Sequence, residues 1–204
     1  MLRSSQKWMP TYILIALNVG VYIYTSIVGS DFIVTNYALV LQYGQVNAFV
    51  LYGGWYWQLI TSMFIHANIV HIFGNMFFLL IFGLRAEELF SLEEYILIYL
   101  LSGLTGNLLS LLWGPLAAPS LGASGAIFGI FGACTIYLRR SIGQSIISAL
   151  VVSFVMLLIS SGPDVNNLAH LGGLAFGLIA GYLLASTRRQ AKPHEYHYSY
   201  STRA

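Results

Sequence analysis

Five side chains in this sequence have types that do chemistry and lie in strongly apolar surroundings: His66, His71, Asn75, Ser124 and His170. A serine hydroxyl becomes a useful nucleophile when a general base stands about 2.6–3.2 Å away, and histidine is the usual base. Asn75 follows His71 by four residues, so the two share a helix face, and donors of this kind beside a serine suit an oxyanion hole. Each residue also has a plainer role. Serine among small residues packs helices together, and a lone intramembrane histidine or asparagine often only bridges them.

Metal chemistry is a weaker reading of the same residues. His66 and His71, five apart on a helix, would point about 140° from each other, which is poor for shared zinc coordination. His194 and His197 near the C-terminus give two ligands at most, and a solvated tail is the simpler account. The single cysteine, Cys134, excludes an intramolecular disulfide and a cysteine-cluster site, and reads as a small packing residue. No metal and no cofactor is expected.

The elements that carry these residues follow from composition. Of 204 residues, 57% are apolar and 8% are charged, against about 45–50% and about 25% in soluble domains. Nine basic and seven acidic residues cannot clothe a soluble globule. A soluble enzyme and a disordered chain are thereby excluded. A net charge of +2 gives no reason to expect a nucleic-acid partner. The fold class expected is an all-α, polytopic membrane protein.

Charge-free stretches divide into six expected spans, at about 11–28, 63–84, 95–112, 122–138, 143–160 and 168–186. The first is too long for a typical signal-peptide core and lacks a clear cleavage site, so it reads as a retained helix. Segment 30–62 is broken by Asn36, Gln42, Gln45, Asn47 and Gly53-Gly54 and is rich in aromatics. It reads as a loop lying in the outer headgroup region. With six spans, Arg3, Lys7, Arg85, Arg139, Arg140, Arg188, Arg189, Lys192 and Arg203 all fall on one side. The positive-inside rule then places both termini, and the tail 187–204, in the cytoplasm.

This topology brings the five polar residues to one depth. Spans two, four and six each run from outside to inside, and each carries its polar residues near its outer end. Gly122, Gly125, Gly129 and Gly132 share a broad side of span four. His170, Gly173, Gly177 and Gly181 form a stripe about 80° wide on span six. Two glycine faces permit a close crossing, and such a crossing would bring Ser124 within reach of His170.

Together these residues resemble the rhomboid family of intramembrane serine proteases. The resemblance rests on Gly122-Ala123-Ser124-Gly125, on Ala169-His170-Leu171-Gly172-Gly173 continuing to Gly177, and on His66-Ala67-Asn68-Ile69-Val70-His71 followed by Asn75. It extends over all six expected spans. It implies a six-helix rhomboid bundle forming one domain, with Ser124 as nucleophile and His170 as general base and acid. His71, Asn75 and the Ser124 N–H would hold the oxyanion. His66 is similar to a structural histidine that ties the loop before span two. Gly125 and Gly173 serve the close crossing, Phe128 packs on His170, and Glu87 anchors the cytoplasmic end. Asp164 is a weak candidate for a third catalytic member. Where the family often has Trp-Arg in the first loop, this sequence has Trp57-Gln58, which puts the loop's rigidity in question.

The function so implied is hydrolysis of a peptide bond near the outer end of transmembrane protein substrates. The expected location is a plasma membrane, with the site toward its outer face. Its alternative is a non-catalytic rhomboid-like protein that binds membrane clients, although such proteins usually lose the serine or the histidine. A histidine-lined transporter would need polar residues at all depths, whereas Met76–Phe82 and Leu178–Ala185 are nearly all apolar. The sequence leaves the oligomeric state open.

Overall fold

The computed structural model describes residues 9–162 and 165–188. Asp164, His194, His197, the terminal basic residues Arg3, Lys7, Arg189, Lys192 and Arg203, and the tail beyond Arg188 lie outside the described residues. The chain is helical: α1 Pro10–Gly29, α2 Tyr37–Tyr43, α3 Asn47–Gly53, α4 Gln58–Thr61, α5 Ile69–Leu89, α6 Leu92–Trp113, α7 Ser124–Ser141, α8 Ile147–Ile159 and α9 Asn167–Thr187. Among the described residues, extended pairing is limited to two isolated bridges, Val34 with Asn68 and Gln45 with Ser120.

Among the described residues, four helices are long and apolar enough to cross a membrane: α1, α5, α6 and α9, of 20 to 22 residues. At 1.5 Å per residue, each spans about 30 Å. The chain is therefore an integral membrane protein. The other two expected spans look different. In α7, every residue from Gly125 to Cys134 is buried. This helix is surrounded by α5, α6, α8 and α9 rather than by lipid, so small residues can replace large apolar ones. Helix α8 has 13 residues and covers only about 20 Å.

Helix boundaries depart from the sequence expectation where local signals outweigh hydropathy. The second span was expected from residue 63, but α5 begins at Ile69. Asn68 caps it, its Oδ1 accepting the His71 N–H at 2.8 Å. Met63, Phe64 and Ile65 are apolar because they are buried or half-buried in the loop, not because they are helical. His66 is therefore not on the helix that carries His71. At the other end, α5 runs through Arg85 to Leu89, and α6 starts at Leu92. A capping box fixes that start: Ser91 Oγ accepts the Glu94 N–H at 3.3 Å, and Glu94 Oε2 accepts the Ser91 N–H at 2.8 Å.

Helices α6, α7 and α9 form the core, and glycine sets their spacing. A Cβ on Gly173 would stand 2.0 Å from the Gly125 carbonyl oxygen, and one on Gly177 would stand 1.9 Å from that of Gly129. On the other flank of α9, a Cβ on Gly172 would stand 2.8 Å from Gly106 Cα. No side chain fits at these crossings, so backbone meets backbone.

Segment 30–62, expected as a loop, contains the short helices α2, α3 and α4. Gln58 is fully buried and knits it together. Its Oε1 accepts the Val46 N–H at 2.9 Å, and its Nε2 donates to the Leu41 carbonyl at 2.7 Å. Trp57 stacks on Trp55 and donates its Nε1–H to the Gln42 carbonyl at 3.1 Å. At the start of this segment, Asp31 Oδ1 accepts the N–H groups of Ile33 (2.7 Å) and Val34 (3.1 Å). Those two bonds hold its carboxyl below the ordinary range.

At the opposite end of the bundle, ionic contacts tie helix ends. Glu87 Oε1 accepts the Thr11 N–H at 2.9 Å, joining α5 to the first turn of α1. Arg188 donates to the Leu89 carbonyl (2.6 Å) and the Tyr137 hydroxyl (2.9 Å) and pairs with Glu94.

Candidate active site

Ser124 is the first residue of α7, and His170 lies in the first turn of α9. Their side chains meet, with His170 Nε2 at 2.8 Å from Ser124 Oγ. Two local features deliver Ser124 to this place. Gly122 has φ +117°, a conformation that favours glycine. A Cβ there would also stand 2.8 Å from His71 Cε1 and Nε2. Gly122 therefore turns the chain into α7 and leaves space for the His71 ring.

The helix start has a second consequence. The capping bond of α7 runs from the Ile127 N–H to the Ala123 carbonyl, at 3.0 Å. N–H groups before Ile127, that of Ser124 included, precede the helix's own ladder and carry the positive end of its dipole. They can serve an anion at the Ser124 hydroxyl.

His71 and Asn75 reach the same cavity from α5. His71 Nδ1 accepts the Ala67 N–H at 3.4 Å. That bond assigns the proton of the neutral ring to Nε2, the nitrogen beside Gly122. Asn75 Nδ2 donates to the His71 carbonyl at 2.9 Å, within its own helix. Its second Nδ2 hydrogen remains available for a further acceptor.

His170 is 7% exposed. Phe128, one turn below Ser124, stacks on its ring with centroids 4.5 Å apart and planes 27° apart. In the tautomer whose Nε2 accepts the Ser124 hydrogen bond, Nδ1 carries the ring hydrogen. Among the described residues, Nδ1 has no hydrogen-bond partner. Among the described residues, the Phe128 ring is what lies against the imidazole face.

His66 is fully buried, and its ring packs edge-on against His71 at 5.2 Å between centroids. Its carbonyl accepts the Thr35 hydroxyl at 2.6 Å, which joins the segment before α5 to the segment before α2. Gly125 and Gly173 form the backbone contact immediately below the Ser124–His170 pair. Among the described residues, no group of three or more His, Cys, Asp or Glu side chains could hold a metal ion.

The Ser124–His170 pair and its neighbours Phe128, Gly122 and Gly125 open on one cavity of about 430 Å³. Ser124, His170, His71 and Asn75 lie on its wall, and Phe78 of α5 and Met156 of α8 line its apolar part. Sequence reasoning missed a polar wall behind the pair, which includes Asn107, Ser120 and Asn166. Asn107 Nδ2 donates to the Leu59 carbonyl and to Ser62 Oγ, at 2.8 and 2.9 Å. The Ser62 carbonyl in turn accepts the Gly122 N–H at 2.8 Å. The available signal was an asparagine in the apolar run of the third span.

These features define a polytopic membrane protein with a serine and a histidine in contact at helix N-termini inside the bundle. The family model described as "Rhomboid domain" matches residues 53–187. The chain belongs to the rhomboid family. It is 41% identical over 143 residues to RHOMBOID-like protein 6, mitochondrial, of Arabidopsis thaliana, covering 66% of this chain and 46% of that protein. With the rhomboid protease GluP of Bacillus subtilis the identity is 32% over 183 residues, 85% of this chain and 34% of that one. Bacillus subtilis YdcA is 34% identical over 157 residues, 74% of this chain and 75% of that protein. The chain thus spans less than half the length of the first two relatives.

Proposed function

We propose that this protein is an intramembrane serine endopeptidase that cleaves transmembrane protein substrates near the outer end of their membrane segment. The observation that carries the reading is the 2.8 Å contact between His170 Nε2 and Ser124 Oγ, enclosed in a bundle with apolar walls. In this reading, six helices cross the membrane as a single domain. The four long helices are joined by α7, sheltered at the centre, and by the shorter α8. Both termini face the cytoplasm of a plasma membrane, and segment 30–62 rests in the outer leaflet.

The chemistry follows from the arrangement. Ser124 Oγ attacks the scissile carbonyl as its proton passes to His170 Nε2. The oxyanion receives hydrogen bonds from the Ser124 N–H, from His71 Nε2–H and from the free Asn75 Nδ2 hydrogen. His170 returns the proton to the leaving amine, and a water molecule activated by the same imidazole releases the acyl group. The substrate must offer an extended backbone, so a segment whose helix opens readily suits the cavity. His66 supports this site by packing behind His71.

The experiment that tests the reading uses purified protein in detergent with a model transmembrane substrate resolved on a gel. Wild type is expected to cleave it and to be labelled at Ser124 by a fluorophosphonate. Cleavage retained by Ser124→Ala would falsify the assignment. A client-binding role is the competing reading. It predicts substrate capture without cleavage or labelling by the wild type.

A further inference from the structure

Ser120 stands four residues before Ser124, and Asn166 stands four residues before His170. The two segments that present the reacting pair are thus joined a second time, by these two side chains. Asn166 Nδ2 donates to Ser120 Oγ at 2.6 Å and to Ser110 Oγ, in the last turn of α6, also at 2.6 Å. The orientation of the amide is fixed by the helix it caps. Asn166 Oδ1 accepts the Ala169 N–H at 3.0 Å, so Nδ2 must face the two hydroxyls. The Asn166 carbonyl also accepts the N–H of His170 itself, at 3.2 Å.

Ser120 is a firm anchor. Its backbone exchanges two hydrogen bonds with Gln45, each 2.8 Å long. Ser110 is held likewise, because its carbonyl accepts from Asn47 Nδ2 at 2.8 Å. Asn166 therefore ties the start of α9 to two points that do not belong to α9.

We propose that Asn166 is a positioning residue, which sets the separation of Ser124 and His170 through its bond to Ser120. The inference rests on the hydrolase reading and names a further residue on which that site depends. The close approaches of Gly173 and of the Ala169 carbonyl to Gly125 set the spacing of α7 and α9 at and below the pair, but they do not reach the outer ends of the two segments. The Asn166–Ser120 bond closes those ends above the pair. His170 depends on this placement, because its Nδ1 has no partner among the described residues to correct the ring.

The test separates the bridge from the helix cap. Serine caps helices as well as asparagine but is too short to reach Ser120 or Ser110, so Asn166→Ser keeps the cap and loses the bridge. Ser120→Ala removes the acceptor from the other side, and Ser120→Thr keeps the hydroxyl. Expected is a fall in kcat of about 10- to 100-fold for Asn166→Ser and for Ser120→Ala. KM and the thermal midpoint in detergent should stay near wild type. Fluorophosphonate labelling of Ser124 should slow in proportion, Ser120→Thr should retain the wild-type rate, and the double variant should be no slower than the worse single one. Wild-type kcat in both single variants overturns the bridge, as does a loss that merely follows the thermal midpoint. A wild type that is not labelled at Ser124 at all overturns the hydrolase reading and the bridge with it.

Discussion

Gly173 meets Gly125 so closely that a single added carbon on Gly173 would stand 2.0 Å from the Gly125 carbonyl oxygen. No rotamer relieves that overlap, because the obstacle is backbone. Gly173→Ala must push α9 away from α7 one turn below His170. The expected result is a loss of stability of about 1–3 kcal/mol and a large loss of cleavage, since the reacting atoms separate. Gly20→Ala is the control, as a Cβ there meets nothing within 4 Å. It should be neutral or stabilising by about 0.4–1 kcal/mol. Thermal unfolding in detergent measures both variants.

Asn75 tests the oxyanion assignment, because among the described residues its side-chain hydrogen bond stays within its own helix. Removing the amide breaks no hydrogen bond between the described helices. Asn75→Ala should therefore unfold at nearly the wild-type temperature while kcat falls about 10²–10³-fold, with KM little changed. A rise in KM at constant kcat would instead assign Asn75 to substrate binding.

Gln58 tests what holds the outer loop. It is fully buried, and its amide serves both the Val46 N–H and the Leu41 carbonyl. Gln58→Leu keeps the volume but orphans both groups, at a cost of about 1–3 kcal/mol for each that stays dry. Hydrogen exchange at the Val46 amide should accelerate. Protection unchanged from wild type would show that the loop is held elsewhere.

Arg188 tests the clasp at the opposite end. Its planar fork reaches the Leu89 carbonyl, the Tyr137 hydroxyl and Glu94 together. Lysine is a point charge on a flexible stem and does not reproduce this fan of donors. Arg188→Lys should cost about 1 kcal/mol, because the pair is partly exposed. Only part of that loss should disappear at high salt, since the bonds to Leu89 and Tyr137 involve no second charge.

How much of this was legible in the sequence differs from element to element. The proximity of Ser124 to His170 could be read because polar side chains in an apolar background are conspicuous, and because two glycine stripes required a close crossing. The start of α5 could not be read from hydropathy, since Met63–Ile65 prolongs the apolar run. The correct signal was the Asn68 cap, which is a local hydrogen bond rather than a composition. Helices α2–α4 escaped notice because each is at most seven residues long, below any reliable periodicity. Asn107, Ser120 and Asn166 escaped for another reason. The bonds that place them at the site run to groups far away in sequence, and such pairings emerge only once the helices are packed.

Phe128 bears on the least usual feature of the site, a histidine whose second nitrogen has no partner among the described residues. If the stacked Phe128 ring is what orients His170, removing the aromatic face should slow turnover without dismantling the bundle. Aromatic pairs contribute about 0.5–1.5 kcal/mol beyond their area, so Phe128→Leu should reduce kcat by about 2- to 10-fold. Phe128→Tyr keeps the face and should stay within about 2-fold of wild type by the same reasoning. The decisive measurement is kcat for both variants alongside their thermal midpoints. Equal activity for Leu and Tyr would mean that burial alone holds the imidazole, whereas loss in Leu with an unchanged midpoint would assign the orientation to the stack.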